Sequence, residues 1–435
     1  MSRRFFILIV IILSASVSLK AQQTFHSLEQ VWEYALSHNA ENRIYQLEIE
    51  QAKQNKKEAA GFLFPTVTGA VNGQDNLDVA KTPVPGELVG EPGETVYLEF
   101  AKHYSYNAGI NITYNILDWQ AIYQSKIAGV DLQLEQAGKA YFEQNLKEQL
   151  AQFYFASLTA ERALAIGTTD LATADTLLQH TEDRFRQGTA DMLEVNQAGI
   201  NKNTIFQSLE SSKQYLHQCL NNLKILLGVD PGEEIDLTES LSSTAITGVS
   251  AYPLPDVRYL ETFRLQQQLA EVGAKKAKAL FIPQVGFKGY LGKYHYQDDF
   301  SFSLDAGDWK PNSYIGMSVT IPIFTGFSNK SRYSSAKFGK QAAETAYQNQ
   351  IRKSAINDSI LYRDYLSAMN RSVSAKETYR LSADNLKLAW KKYEQGLLNL
   401  DGYLNVFDDY LSAENKYLSN LSEFLTKKAT IESRN

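Results

Sequence analysis

The side chains that could perform chemistry are scattered along this 435-residue sequence and form no familiar catalytic pattern. The histidines never occur in the H-E-x-x-H spacing that binds zinc on one helix face, and no Cys/His cluster accompanies them. A P-loop and a G-x-S-x-G nucleophile elbow are also absent from the sequence. We therefore expect no enzymatic activity, no cofactor and no metal. The six histidines are His26, His38, His103, His180, His217 and His295.

Two short segments of charged and aromatic residues stand out because each ends in glycine. Arg184-Phe185-Arg186-Gln187-Gly188 recurs as Lys392-Tyr393-Glu394-Gln395-Gly396. Each follows a long helical pattern, so both predict turns that end a helix. The single cysteine, Cys219, excludes an internal disulfide framework and is expected to be a small buried residue. The formal charge of −6 gives no basis for nucleic-acid binding.

These turns belong to a larger internal duplication, in which the same elements occur twice in the same order. Leu63-Phe64-Pro65 recurs as Phe281-Ile282-Pro283, and the strand end at 112–117 recurs at 319–324. Each half reads as helix, strand, loop, strand, long helix, turn and helix. We assign the first repeat to 22–227, a linker to 228–255 and the second repeat to 256–432. The predicted strands are 66–74, 104–116, 284–296 and 313–324, and the predicted helices after them are 118–187, 191–227, 326–395 and 400–432.

The first 21 residues have the order of a secretory signal. Arg3 and Arg4 precede an apolar run from Phe5 to Leu13, small residues follow, and Ala21 offers a cleavage point. A membrane-spanning helix needs about 20 apolar residues, which is more than this run provides. We expect residues 1–21 to be removed, and an uncleaved anchor is the alternative.

The strand patterns favour a membrane location. From Tyr104 to Ile116 every even position is apolar or aromatic and every odd position is small or polar, and 315–323 repeats this alternation. A strand that crosses a bilayer needs about 9–11 residues, with one face toward lipid and one toward a polar lumen. Long polar loops at 75–103 and 297–312 lie on one side of the strands, as in outer-membrane barrels. An ordinary soluble hairpin is the alternative explanation.

The helical segments are too long for an ordinary globular domain. Residues 118–187 contain no proline, and a continuous helix of that length would measure roughly 105 Å. Steps of three and four residues in the closing helix indicate a coiled-coil seam. The seam positions are Leu404, Phe407, Leu411, Glu414, Leu418, Leu421 and Leu425.

Four strands per chain cannot stand alone in a bilayer, because both sheet edges would present unpaired amides to lipid. Two copies would give eight strands with a filled interior, whereas three copies give twelve and begin to leave a lumen. Helices that follow the strands would continue that lumen away from the membrane. The pattern therefore predicts a trimeric export duct.

With these motifs the chain resembles the TolC-type outer-membrane factors over its predicted mature length. The most specific matches are the turns at 185–188 and 393–396 and the strand exit at 319–326. The resemblance implies a mixed, mainly α fold, in which a homotrimer forms a 12-stranded β-barrel in the outer-membrane lipid of a Gram-negative bacterium. It also implies a long periplasmic α-helical barrel and a small α/β belt made of the 228–255 linker and the C-terminal residues.

The resemblance also implies partners. Through the two turns the channel would dock to a periplasmic adaptor (membrane fusion) protein and an inner-membrane pump, as in tripartite efflux or type I secretion. Multidrug efflux of small molecules is the first expectation and polypeptide secretion the second. A periplasmic adaptor or a coiled-coil stalk is the alternative class, although neither accounts for the duplication together with the alternating strands. The implied turn and docking residues are Arg184, Phe185, Gly188, Tyr393 and Gly396.

A gate at the turns is implied as well. In the family, a tyrosine and an arginine of the second hairpin, with acidic residues of both hairpins, close the tunnel. Tyr393 matches the tyrosine and Glu194 falls at an acidic position, but Leu398 replaces the arginine, and the acidic-ring positions are Gly402 and Asn405. Two hypotheses remain open: apolar closure by Leu397, Leu398 and Leu400, or a displaced ring of Asp401, Asp408 and Asp409, which otherwise form a solvated helix face.

Overall fold

The computed structural model describes residues 22–239, 241, 255–305 and 307–434. The expected signal at 1–21 and most of the second half of the expected linker lie outside these residues. The chain forms two compact units, of which unit 1 comprises Met1–Glu48, Gln136–Thr262 and Gln348–Asn435. Unit 2 comprises Ile49–Glu135 and Phe263–Tyr347.

Helix dominates the part of the chain that the structure describes. The α-helices are α1 (Leu28–His38), α2 (Ala40–Ala59), α3 (Trp119–Arg186), α4 (Met192–Leu227), α5 (Val257–Lys278), α6 (Ser328–Glu394) and α7 (Leu400–Glu432). The strands are β1 (Gln22–Phe25), β2 (Thr66–Asp75), β3 (Lys81–Pro85), β4 (Thr95–Glu99), β5 (Tyr104–Leu117), β6 (Glu234–Leu237), β7 (Gln284–Gln297) and β8 (Lys310–Thr320). None of the described helices has the length and apolar character needed to cross a membrane.

Local signals set the ends of the two longest helices. Asp118 caps α3, because its carboxylate accepts hydrogen bonds from the amides of Gln120 and Ala121. Before α6, Gly326 and Phe327 have φ angles of 59° and 63°. This left-handed backbone cannot belong to a right-handed helix, so α6 begins two residues later than the predicted start at 326.

Unit 2 contains an antiparallel sheet in the order β2-β5-β7-β8. The pairing of β5 with β7 joins the hairpin of the first repeat to that of the second. The last strand was predicted at 313–324, but β8 ends at Thr320, opposite Gln284. The ladder stops there because Pro283 and Pro322 have no amide hydrogen to donate.

The register brings the apolar positions of all four strands to one face. Between β2 and β5, Val67 lies opposite Ile112, and between β5 and β7, Ile110 lies opposite Leu291. Between β7 and β8, Phe287 lies opposite Met317 and Val285 opposite Val319. The other face carries polar pairs such as Asn72 and Asn107, which are joined by a 2.9 Å hydrogen bond. Because facing residues in an antiparallel pair project to the same side, the sheet has one apolar and one polar face.

The alternation in β5 breaks at its end. A register shift lies between Asn115 and Leu117, so Leu117, rather than Ile116, is placed opposite Val285. The sequence pattern had put Ile116 on the apolar face. An extra residue in one strand forms a β-bulge, which exchanges the faces of the residues beyond it.

Two glycines allow the central pairing of β5 with β7. Gly109 and Gly292 face each other, and a Cβ on Gly292 would lie 2.5 Å from the Tyr290 hydroxyl and 2.6 Å from the Ala108 carbonyl oxygen. Overpacking of this kind typically costs about 1–3 kcal/mol. We expect Gly292→Val to lower the yield of folded protein and its midpoint of denaturation. Gly316→Val in β8, where nothing lies within 4 Å of the added Cβ, is the matched control. Equal losses in both variants would contradict this account.

Unit 1 contains a small parallel pairing of β1 with β6. Around it lies a buried core to which β1, α1, α3, α4, α6 and α7 all contribute. The expected belt comprised the linker and the C-terminal residues. The structure adds the N-terminal segment, since Phe25, Leu28 and Val31 pack in the same core as Leu237 and Ile431.

The N-terminal helical region is interrupted once, between α1 and α2. Asn39 has a ψ of 126°, which lies outside the helical region, and its side chain accepts a hydrogen bond from the amide of Asn42. The side-chain amide of Asn39 also donates to the carbonyl of Leu226 at 2.8 Å. The break therefore ties the N-terminal segment to the end of α4.

Candidate functional site at the hairpin turns

The two glycine-ended turns have the same backbone geometry. Gly188 and Gly396 have φ angles of 73° and 71°. Each amide donates to the carbonyl three residues earlier, and the next amide donates to the carbonyl five residues before it, as Thr189 does to Arg184 at 2.9 Å. This is the Schellman arrangement, which requires a left-handed residue and therefore favours glycine. The backbone conformation of the turn thus explains why glycine occupies the same position in both repeats.

The helix that follows each turn is capped in the same way. Asp191 accepts a hydrogen bond from the amide of Glu194, and Asn399 accepts one from the amide of Gly402, both at 2.9 Å. The cap lies three residues after the glycine in both repeats, so the full motif is Gly-x-x-Asp/Asn. Each turn is thus fixed at one end by a Schellman motif and at the other by a side-chain cap, and its backbone is therefore well defined.

Beside the turns, unit 1 has a second buried core, which we call the hairpin cluster. It joins the α3–α4 hairpin to the α6–α7 hairpin. Its aromatic rings form a row from α6 into α7: Tyr393 of α6 stacks on Tyr403 of α7 at 5.6 Å, and Tyr403 lies next to Phe407 at 6.1 Å. The cluster consists of Ala174, Leu177, Ala198, Ile205, Ala389, Tyr393, Leu400, Tyr403, Phe407 and Tyr410.

Tyr393, the expected gate tyrosine, lies inside this cluster and is 1% exposed. Its hydroxyl and that of Thr181 lie 3.0 Å apart and share a hydrogen bond between the two hairpins. The Arg184 guanidinium lies over the Tyr393 ring at 5.3 Å, within the range of a cation–π contact. Arg184 also lies 3.9 Å from Glu194 and donates to the carbonyl of Thr189. An arginine therefore does contact the tyrosine, but it comes from the first hairpin.

The other expected site residues differ widely in exposure. Phe185 occupies the position in the first repeat that Tyr393 occupies in the second, yet it is 40% exposed. Leu397 is 73% exposed, Leu398 is half-buried against the hairpin cluster, and Leu400 is buried. Apolar closure between chains would thus depend on Leu397 and part of Leu398, because Leu400 packs within its own chain. Four of the expected gate residues, Asp401, Asn405, Asp408 and Asp409, lie at exposed positions of α7.

A buried pair of carboxyl groups was not identified from the sequence. Asp170 in α3 and Glu414 in α7 are each 5% exposed and hydrogen-bond to each other and to Tyr410. Burial raises the pKa of Glu414 to about 8 and the pKa of Asp170 to about 6. A signal was available, because Glu414 occupies an apolar position in the predicted seam of α7.

Metal and thiol chemistry find little support within 22–239, 241, 255–305 and 307–434. In these ranges no three His, Cys, Asp or Glu side chains come together as a group that could hold a metal ion. Cys219 is buried, as expected, and burial raises the pKa of its thiol. A thiol with a raised pKa is less reactive at neutral pH.

Comparison with known families settles the relationship. The family model described as "Outer membrane efflux protein" matches residues 32–229 and 258–433. The chain belongs to this family. The unmatched residues 230–257 between the two segments overlap most of the expected linker at 228–255. Members of the outer membrane efflux protein family are transport proteins, and membership places the chain in the outer membrane.

Individual relatives agree with this result. The chain is 26% identical over 272 residues to outer membrane protein OprJ of Pseudomonas aeruginosa, which is 60% of this chain and 54% of OprJ. The match thus spans about half the length of that relative. The open state of the MtrE outer membrane channel of Neisseria gonorrhoeae superposes with a TM-score of 0.77 at 19% identity, covering 94% of this chain and 88% of MtrE. The Campylobacter jejuni CmeC outer membrane channel gives 0.75 at 18%, covering 94% and 85%. At these identities the superpositions establish the fold.

Proposed function

We propose that this protein is the outer-membrane exit duct of a tripartite efflux or type I secretion system. It conducts its cargo passively from an inner-membrane pump and a periplasmic adaptor to the exterior. MtrE and CmeC are outer membrane channels, and the family to which the chain belongs is that of outer membrane efflux proteins, which supports this proposal. Small molecules are the first cargo class and polypeptides the second.

The observation that carries the proposal is the two-faced sheet in unit 2. Its apolar face is strongly exposed, with Ile315 at 79% and Met317 at 70%. Its outer strands, β2 and β8, each pair on one side only among the described residues. An exposed apolar face together with free edges is unfavourable in water but suits a sheet that closes within lipid.

Closure requires further copies of the chain. Three copies would give twelve strands, with the apolar faces toward outer-membrane lipid and the polar faces toward a lumen. Asn72, Asn107 and Tyr290 would then line the pore. The long helices would continue the duct into the periplasm as an α-helical barrel. We propose a homotrimer on this basis.

The test is the single-channel conductance of the purified full chain in a planar bilayer, measured together with its native mass. A trimer with discrete conductance would support the duct. A monomer without conductance would contradict it and favour the adaptor or stalk alternatives. Heat-modified mobility on gels provides an independent check of a closed barrel.

We further propose that the two turns contact the adaptor. Gly188 and Gly396 fix their backbone, while Phe185 and Leu397 present exposed apolar side chains beside them. Exposed apolar side chains on a well-defined backbone suit the docking of a protein partner. Crosslinking from Phe185 and Leu397 in cells, compared with crosslinking from Lys337 in unit 2, tests this assignment.

The gate hypothesis makes a specific prediction. Replacing Leu397 by serine places a polar group at the most exposed of the three leucines, and polar groups lower the barrier of a gate that closes by dewetting. We expect Leu397→Ser to raise single-channel conductance clearly and Leu398→Ser to raise it less, because Leu398 is half-buried within its own chain. Unchanged conductance in both variants would exclude apolar closure and favour the ring of Asp401, Asp408 and Asp409.

A further inference from the structure

The carboxyl pair of Asp170 and Glu414 lies at the contact between the two helical hairpins of unit 1. Asp170 belongs to α3 and Glu414 to α7, so the hydrogen bond between them joins one hairpin to the other. Both side chains are almost fully buried. Two ionised carboxylates in such a place would repel each other without solvent screening. One shared proton removes this repulsion and supplies a donor for the hydrogen bond.

The groups around the pair are mostly neutral. Tyr410 of α7 hydrogen-bonds to both carboxyls, and Tyr379 of α6 faces them. The cation that acts on Glu414 is Arg162 of α3, and it lowers the pKa less than burial and Asp170 raise it. From α4, Thr204, Ser208 and Ser212 line a cavity of about 140 Å³ that also contacts both carboxyls. No residue of α4 among these brings a charge to the pair.

We propose that Asp170 and Glu414 hold one proton between the two hairpins, and that loss of this proton loosens the hairpin contact. The pair is therefore a pH-sensitive clamp located next to the hairpin cluster that contains Tyr393. With the proton bound, the protonated carboxyl donates to the ionised one, and α3 stays packed on α7. Without it, the two negative charges separate, and solvent reaches them through the adjacent cavity. Any control of the pore by this clamp rests on the proposed function. The clamp itself is independent of that function.

The direction of the pH effect follows from the raised pKa of both groups. A carboxyl whose pKa is higher in the folded state binds more protons than in the unfolded state, so the folded state loses stability as pH rises. For Glu414 this loss runs from its ordinary value of 4.5 up to about 8. For Asp170 it runs from 3.8 to about 6. The last proton of the pair is lost near pH 8, so the hairpin contact loosens through this range and is loosest above it.

Hydrogen exchange of the purified full chain tests the clamp without requiring channel activity. We compare wild type with Glu414→Gln, whose amide can donate to ionised Asp170 as protonated Glu414 does. At each pH we divide the exchange rate of wild type in residues 403–418 by that of Glu414→Gln, because this ratio cancels the intrinsic effect of pH on exchange. We expect similar protection of the two proteins below pH about 6 and about tenfold faster exchange in wild type above pH about 8, since one pKa unit corresponds to a tenfold change.

Glu182→Gln is the matched control, because Glu182 is an exposed carboxyl on α3, the helix that carries Asp170. It should keep the exchange behaviour of wild type at every pH. Asp170→Asn provides a second variant that removes the like-charge pair, and it should also suppress the alkaline loosening. Wild-type pH dependence in both Glu414→Gln and Asp170→Asn would overturn the clamp. Conductance measured in parallel separates the two proposals, because a clamp without conductance would contradict only the duct.

Discussion

Arginine in place of Ile315 is expected to prevent the protein from inserting stably into the outer membrane. Ile315 lies in the middle of β8 on the apolar face of the sheet and is 79% exposed in the chain. An arginine on the lipid face near the bilayer midplane costs about 2–4 kcal/mol per site. A trimer contains the substitution three times, so the total penalty of about 6–12 kcal/mol is comparable to a typical margin of stability of about 5–15 kcal/mol.

The adjacent residue provides the matched control. Tyr314 lies on the opposite face, across from Tyr290, and would point into the polar lumen. Tyr314→Arg should therefore insert nearly as well as wild type. The measurement is the fraction of each variant that remains in washed outer membranes and shows heat-modified mobility. Normal insertion of Ile315→Arg, or equal loss in both variants, would show that this face does not contact lipid.

Truncation of Tyr393 is expected to separate the two helical hairpins locally. The side chain is buried among Trp390, Tyr403 and Arg184 and is bonded to Thr181. Replacing a buried aromatic residue by alanine costs about 3–5 kcal/mol. Since about 1.4 kcal/mol changes an equilibrium tenfold, hydrogen exchange in the first turns of α7 should accelerate at least about a hundredfold.

The duplicated turn again supplies the control. Phe185→Ala removes an aromatic ring at the equivalent position of the first repeat, where the residue is 40% exposed. We expect a much smaller acceleration there. Tyr393→Phe keeps the packing and removes one hydrogen bond, so it should cost about 1 kcal/mol. If Tyr393→Ala and Phe185→Ala had equal effects, Tyr393 would not contribute to the hairpin contact.

The architecture of the sheet was largely predictable, because alternation with a period of two residues determines which side chains share a face. The even-numbered positions of β5 do lie on one face up to Tyr114. The bulge at Ile116 was not predictable, since it depends on how β5 pairs with β7, where Leu117 meets Val285 about 170 residues later. The end of β8 was predictable in principle from Pro322, whose missing amide ends the ladder.

The candidate site was predictable in its turns and less so in its contacts. Glycine and the Asp/Asn cap are local signals, so the turns at Gly188 and Gly396 follow from the sequence. The two repeats nevertheless differ in packing. Phe185 and Tyr393 occupy equivalent positions in the sequence, so it could not be inferred that the first is exposed and the second buried. Glu414 interrupts an apolar seam and was visible as an exception, but its partner Asp170 lies in a distant helix. Only the fold brings them together.

The order in which the sheet can form follows from the pairing of β5 with β7. These strands are separated in sequence by α3, α4, α5 and the linker, so a very long loop must close before they meet. Each hairpin, β2–β5 and β7–β8, can form locally and early, whereas a pairing of such high contact order forms slowly. During that interval the chain has two separate hairpins with apolar faces and four open edges in an aqueous compartment. Such species aggregate readily, so the newly exported chain is most prone to aggregation in the interval before the central strands pair.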